Sequence, residues 1–268
     1  MIGFGLNQVT MATASFGDFV EAAARLGMAG VEVRNDLGRP VFDGIAAETA
    51  GHVIQDHGLR LLGVSQVYPF NLWSQGIAEQ VETLLEVAIA AGSKSISLIP
   101  CNDGTQVASD DLMAALETCL ALVKSSGLTA LIEPLGFGRS SLRQKSDLVD
   151  AIAALGAQAH LKIVHDTFHH TLAGGGELYP RQTGIVHISG VEDELIPVAN
   201  MEDKHRVLVG VRDRLGNLDQ IRSLTDAGYD GVFSFECFAP EVHALTDPEE
   251  GIRRSMNFIS SHLQDKAA

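Results

Sequence analysis

The chain has 268 residues, 46% apolar and 20% charged, which is enough apolar material for a large core and excludes general disorder. Its 19 basic against 34 acidic side chains leave a formal charge of −15, which argues against nucleic acid or an anionic membrane surface as the main partner. Three cysteines with no CxxC pair suggest neither a disulfide framework nor a structural zinc site, and no uniformly apolar stretch is long enough to span a membrane. The opening residues MIGFGLNQVT lack the basic start and long apolar run of a secretory signal, so a reducing cytoplasm is the expected location.

Short β-rich runs alternate with longer helical patterns. The first run, Phe4–Thr10, is followed by a helix opening at Ser15, an N-cap with Asp18 three residues on, and Phe16, Phe19, Val20, Ala23 and Leu26 recur at helical spacing. Gly30–Asp36 precedes a helix over Ile45–His57, Leu59–Val67 one over Ile77–Ala91, and Ser95–Cys101 one over Asp110–Ser125. Thr129–Leu135 precedes a helix over Ser146–Leu155. Leu161–Thr167 runs into an irregular region containing Gly174–Gly176, read as a turn because no Lys-Ser/Thr follows it. Ile185–Ser189 leads through a long polar loop to a helix over Leu218–Ala227, and Gly231–Phe238 precedes a helix over Pro248–Leu263. Gly27, Gly58, Gly92, Gly127 and Gly228 each fall just past a helix, where a left-handed residue ends it.

Eight such units in 268 residues average about 33 residues each, the size of a βα repeat. No linker divides the chain, so residues 1–268 read as one α/β domain, an eight-stranded parallel (β/α)8 barrel. A doubly wound open sheet is the competing architecture, but the first unit lacks GxGxxG.

In a βα barrel the chemistry sits at the C-terminal ends of the strands. The last four strands each carry a metal-capable side chain there: Glu133, Asp166, His187 and Glu236. Alternation sends Ile132 and Pro134, Val186 and Ile188, and Phe235 and Cys237 the other way, so Glu133, His187 and Glu236 share an inward direction; Asp166, between His165 and Thr167, is less clearly patterned. An inward carboxylate in an apolar strand needs a partner or a cation. Three carboxylates and one imidazole suit one divalent ion, Mn²⁺, Mg²⁺ or Co²⁺ ahead of Zn²⁺, and a buried ion-pair network would leave the same pattern.

The ordered set Glu133, Asp166 with His169 three residues later, His187 and Glu236 resembles the xylose isomerase-like TIM-barrel superfamily of sugar and cyclitol isomerases and epimerases, along essentially the whole chain. Within it the chain is most similar to tagatose-type 3-epimerases and inosose isomerases. The resemblance implies that Glu133, Asp166, His187 and Glu236 hold one divalent metal, that Glu133 and Glu236 exchange the substrate proton, and that His169 and Arg206 contact substrate oxygens. The family's loop after strand seven often has Arg followed by Pro-Gly-x-Gly; here it reads Lys204-His205-Arg206-Val207-Leu208-Val209-Gly210, so Arg212 and Arg214 compete with Arg206 for that role. DNA-repair endonuclease IV shares the barrel but uses extra histidines on earlier strands, which this chain lacks.

Such a site suits proton transfer next to a carbonyl: the cation stabilises an enediolate, one Glu removes the proton and the other returns it. The expected substrate is a small neutral polyhydroxylated ketone, and the resemblance implies an inosose slightly ahead of a free ketohexose. An inosose-type dehydratase and a non-catalytic polyol-binding barrel are the competing functions. Tyr68, Phe70 and Trp73 are candidates for an apolar wall over the ring, with rim packing as the competing role, and Asn7 is a candidate for a substrate hydroxyl. Glu32 is read as pairing with Arg34 inside the barrel, Arg34's own role being left open, and His165 as facing the helices. A homo-oligomer is compatible with this reading.

Overall fold

The computed structural model describes residues 2–264. Eight parallel strands close in sequence order into a barrel: β1 (Gly3–Asn7), β2 (Gly30–Arg34), β3 (Arg60–Val67), β4 (Ser95–Leu98), β5 (Thr129–Ile132), β6 (Leu161–Asp166), β7 (Thr183–Ile188) and β8 (Val232–Phe235), with β8 pairing back onto β1. The helices between them are α1 (Phe16–Arg25), α2 (Ala47–Asp56), α3 (Gln75–Ala90), α4 (Ser109–Ser126), α5 (Lys145–Ala154), α6 (Thr167–Leu172), α7 (Asn217–Asp226), α8 (Pro240–His243) and α9 (Pro248–Gln264). The expected (β/α)8 architecture is therefore the observed one. No helix among the described residues is long and apolar enough to cross a membrane.

The local reasons match the sequence. Ser15 caps α1, its hydroxyl accepting from the Asp18 backbone N–H, and α1 buries Phe16, Phe19 and Val20. The five helix-ending glycines all adopt positive φ, from 71° to 90°. Phe4, Val31 and Val33 are among the strand residues in the main apolar cluster, which is shared with the inner faces of the helices.

Strand ends differ from the sequence expectation. The β1 run stops at Asn7, because residues 8–11 turn into a 3₁₀ segment that the Asn7 side chain caps. β5 stops at Ile132 and β8 at Phe235, while Glu133 and Glu236 still make one ladder hydrogen bond each, to the Leu98 and Ile188 carbonyls. The region after β6 holds a helix that periodicity missed. Asp166 caps α6 by accepting from the His169 backbone N–H at 2.8 Å. Gly136 allows the β5 loop to pack against this helix, since a Cβ there would fall 2.2 Å from the His169 carbonyl oxygen.

Candidate metal centre and its cleft

Strand register brings the four candidate ligands together. Asp166 pairs with His187 across β6 and β7, His187 pairs with Ser234 on β8, and Glu236 follows β8. Glu133, Asp166, His187 and Glu236 are all buried and offer ligand atoms within 4.8 Å of one another. His187 Nδ1 lies 3.8 Å from Glu133 Oε1 and 3.3 Å from Glu236 Oε2.

The tautomer of His187 follows from its other nitrogen. Nε2 lies 3.0 Å from Glu32 Oε2, and a carboxylate only accepts, so Nε2 carries the proton. Nδ1 is left facing Glu133 and Glu236, and it offers a lone pair to a cation once its own proton is lost. Glu32 also accepts from the Ser234 hydroxyl. The expected Glu32–Arg34 pair is thus corrected: both side chains point inward, but Glu32 orients the His187 imidazole across the barrel, and Arg34 turns to Asp36 and Glu236.

A cation fits this donor set. Glu133 Oε1 and His187 Nδ1 are buried and have no hydrogen-bond partner among the described residues, a costly state that a cation between them would relieve in place of the His187 proton. Imidazole and carboxylate oxygens together suit a borderline or hard divalent ion.

Arg206, 1% exposed, crosses the same space. Its Nη2 donates to Asp166 Oδ2 and to Glu236 Oε2, its Nε to Ser189 Oγ and its Nη1 to Asp203 Oδ1. Of the three competing arginines it is the one in the site: Arg212 is exposed and pairs with Glu192, and Arg214 donates to the Asp193 and Ile196 carbonyls. His169 is buried beside Glu133, with Nε2 3.9 Å from Oε1, and its ring packs edge-on against Phe137.

The two glutamates stand in opposite electrostatic settings. Burial, and then the charge of Glu236, push the Glu133 carboxyl up to about 7. Burial opposes ionisation of Glu236 as well, but His187, Arg206 and Arg34 outweigh it and hold Glu236 well below the usual carboxylate range. His187 is held well above the usual imidazole range: burial works against its charge, but Glu236 and Glu32 outweigh it. Glu133 and His187 must both lose protons to become ligands. Metal affinity is therefore expected to fall as pH falls, the His187 proton already competing above neutrality and the Glu133 proton adding to it below about 7, by about ten-fold per unit for each proton released. Titrations of the metal-free protein at several pH values, with the proton release measured in two buffers, check this; an affinity independent of pH would contradict it.

The centre opens into a cleft of about 270 Å³ whose lining includes Glu133, Glu236, His169, Arg206, Arg34 and Tyr68. Asn7 and Trp73 are not in that lining. Asn7 is fully buried and its Nδ2 donates to Glu236 Oε1 at 3.2 Å, so it supports a candidate ligand rather than facing the cleft. Trp73 packs partly buried against the core, and Phe70 is fully buried in it. Arg34 and Asp36 at the end of β2 are cleft groups whose roles the sequence left undefined or unmentioned; their inward parity was the available signal.

His165 faces the helices, as alternation implied. Gln220 Nε2 donates to several oxygens, so Gln220 Oε1 accepts from His165 Nε2, and His165 Nδ1 accepts from Lys145 Nζ. Burial pushes Lys145 down to about 7.

The family profile described as a xylose isomerase-like TIM barrel matches residues 20–262. The chain belongs to this family. A structure of a xylose isomerase domain containing protein from Salmonella typhimurium LT2 is 30% identical, with a TM-score of 0.90 over 97% of this chain and 96% of that one. The IolI protein, solved with a zinc atom, is 17% identical with a TM-score of 0.85 over 98% and 99% of the two chains, a likeness of fold. Among curated proteins, an inosose isomerase from Bacillus licheniformis is 25% identical over 189 residues. That match takes in 66% of this chain and 65% of the relative, so the chain spans a little under two thirds of the relative's length.

Proposed function

We propose that this member of the xylose isomerase-like family is a metal-dependent isomerase or epimerase of a neutral polyhydroxylated ketone, an inosose ahead of a free ketohexose. The observation that carries the reading is the pair of buried carboxylates, Glu133 and Glu236, both near His187 Nδ1 and both lining one cleft. The similarity to an inosose isomerase supports the cyclitol preference.

Glu133, Asp166, His187 and Glu236 would hold the ion, which when bound supplies Lewis-acid stabilisation of negative charge on the substrate carbonyl oxygen. Arg206, fixed by Asp166, Asp203 and Ser189, directs its guanidinium at that charge. One of the two carboxylates removes the proton from the carbon beside the carbonyl, and the other returns a proton to the neighbouring carbon or the opposite face. In the metal-free site the two carboxyls are pushed apart, Glu236 held ionised and Glu133 raised to about 7; with the ion in place both would be ionised, and each faces the cleft as a proton acceptor. His169, pushed down to about 3 by burial and then Arg206, stays neutral and hydrogen-bonds a substrate hydroxyl. Tyr68 covers one side of the ring.

The test is a substrate panel on protein stripped of metal and reloaded with Mn²⁺, Co²⁺, Mg²⁺ or Zn²⁺. An inosose is expected to be converted with the highest kcat/KM, a free ketohexose less well and its phosphate ester least. A strong preference for the phosphate ester would overturn the substrate class.

A further inference from the structure

Both guanidiniums of the cleft are already taken up by carboxylates. Arg34, 7% exposed, donates from Nη1 to Glu236 Oε1 at 2.9 Å and presents its other edge to Asp36, Nε to Oδ1 at 2.8 Å and Nη2 to Oδ2 at 2.6 Å. This two-point pairing is the strong, geometrically fixed form of an arginine–carboxylate contact. Asp36 is further held by Gln66, whose Nε2 donates to Oδ2 at 3.1 Å. The frame beneath it is rigid: Asn35 Nδ2 donates to the Gln66 carbonyl at 3.0 Å, and the Gln66 N–H donates to Asn35 Oδ1 at 2.8 Å, tying the end of β2 to that of β3. Asp36 is a third exposed, at the mouth of the cleft, whereas Glu236 is buried at its floor.

Among the described residues the lining holds four carboxylates, Asp36, Glu133, Asp203 and Glu236, against the guanidiniums of Arg34 and Arg206. With Asp166, the remaining carboxylate of the candidate centre, a dication leaves this set one negative charge away from neutrality. On the same lining, Asn102 Oδ1 is a buried acceptor without a partner among the described residues. A hydroxyl can donate to it; a phosphate or carboxylate oxygen cannot.

We propose that Asp36 is the charge filter of this cleft: by occupying the Nε edge of Arg34 at the mouth, it admits ligands whose far end is neutral and hydroxylated and rejects those ending in phosphate or carboxylate. The inference rests on the reading that the cleft takes a polyol. Removing the carboxylate leaves a cationic edge exposed where an anionic terminus would arrive, because Glu236 holds only the opposite side of Arg34. Asp36 is a specificity residue at the mouth, linked to Glu236 through Arg34.

The experiment measures binding, so that its outcome is separable from turnover. Calorimetry on Mn²⁺-loaded protein compares sorbitol with sorbitol 6-phosphate, for the wild type, Asp36→Ala and Asp36→Asn. The wild type is expected to bind sorbitol at least ten-fold more tightly than the phosphate ester. Asp36→Ala is expected to reduce that ratio at least ten-fold through tighter binding of the ester, and Asp36→Asn, which keeps the shape, to lie between. Contacts of phosphate with the ion are common to all three proteins and drop out of the comparison. A wild type that binds the ester as well as sorbitol, or fails to bind sorbitol, overturns the proposal, as does an unchanged ratio in both variants. Absence of turnover on every ketone, with this selectivity intact, would sink the proposed reaction and leave the charge filter standing.

Discussion

His187→Ala is expected to leave the purified protein without stoichiometric metal. The substitution deletes the Nδ1 atom that faces Glu133 and Glu236, and leaves those carboxylates at the floor of the cleft with only the two arginines against them. Asp166→Ala should lose the ion as well, at a higher cost to the fold. Asp166 caps α6 and pairs with buried Arg206, and removing one partner of a buried pair typically costs about 3–5 kcal/mol. Asp166→Asn keeps the cap acceptor and separates the two effects. Glu32→Gln, which touches no ion, should weaken binding by about 10–100-fold, because the amide cannot hold the Nε2–H tautomer as a carboxylate does. Elemental analysis and metal titration check all four; unchanged metal content in His187→Ala would remove His187 from the centre.

Glu133→Gln and Glu236→Gln should each abolish measurable turnover, by about 10³-fold or more, while the fold persists. Glutamine retains the shape and one oxygen but cannot accept the substrate proton. The two variants should differ elsewhere. Glu236 accepts hydrogen bonds from Asn7, Arg34 and Arg206, so its loss leaves two buried guanidiniums under-compensated and lowers Tm. Glu133 Oε1 has no such partners among the described residues, so Glu133→Gln should be close to neutral for the metal-free fold. Steady-state assays on metal-loaded variants, with thermal melts on the same samples, measure both; full activity in either variant would refute its assigned role.

The barrel was legible because βα units repeat and helix ends carry glycine. The candidate ligands were legible because period-two alternation sets an inward polar residue against outward Ile, Val or Phe, as around His187 and Glu236. Strand ends were overrun because the residues that build the cleft, such as Glu133–Leu135, continue an apolar-looking run after they have left the ladder. Glu32 shows where pattern stops: parity gave its direction, but its partner His187 lies 155 positions away and is chosen by barrel closure. α6 went unseen because Asp166 reads as a ligand before it reads as a cap, and its six residues are too few to show a period. Trp73 and Tyr68 sit on a rim loop, where no periodicity tells the side facing the cleft from the side facing the core.

The most direct measurement is solvent-hydrogen exchange followed by proton NMR. An inosose and a free ketohexose are incubated in D₂O with the metal-loaded protein, the chelated protein and Glu236→Gln. Metal-dependent conversion of at least one ketone is expected, with deuterium entering at the carbon beside the carbonyl, and neither signal is expected in the other two samples. Absence of both conversion and exchange with every ion, or equal conversion by the chelated protein, would contradict metal-assisted proton transfer at Glu133 and Glu236.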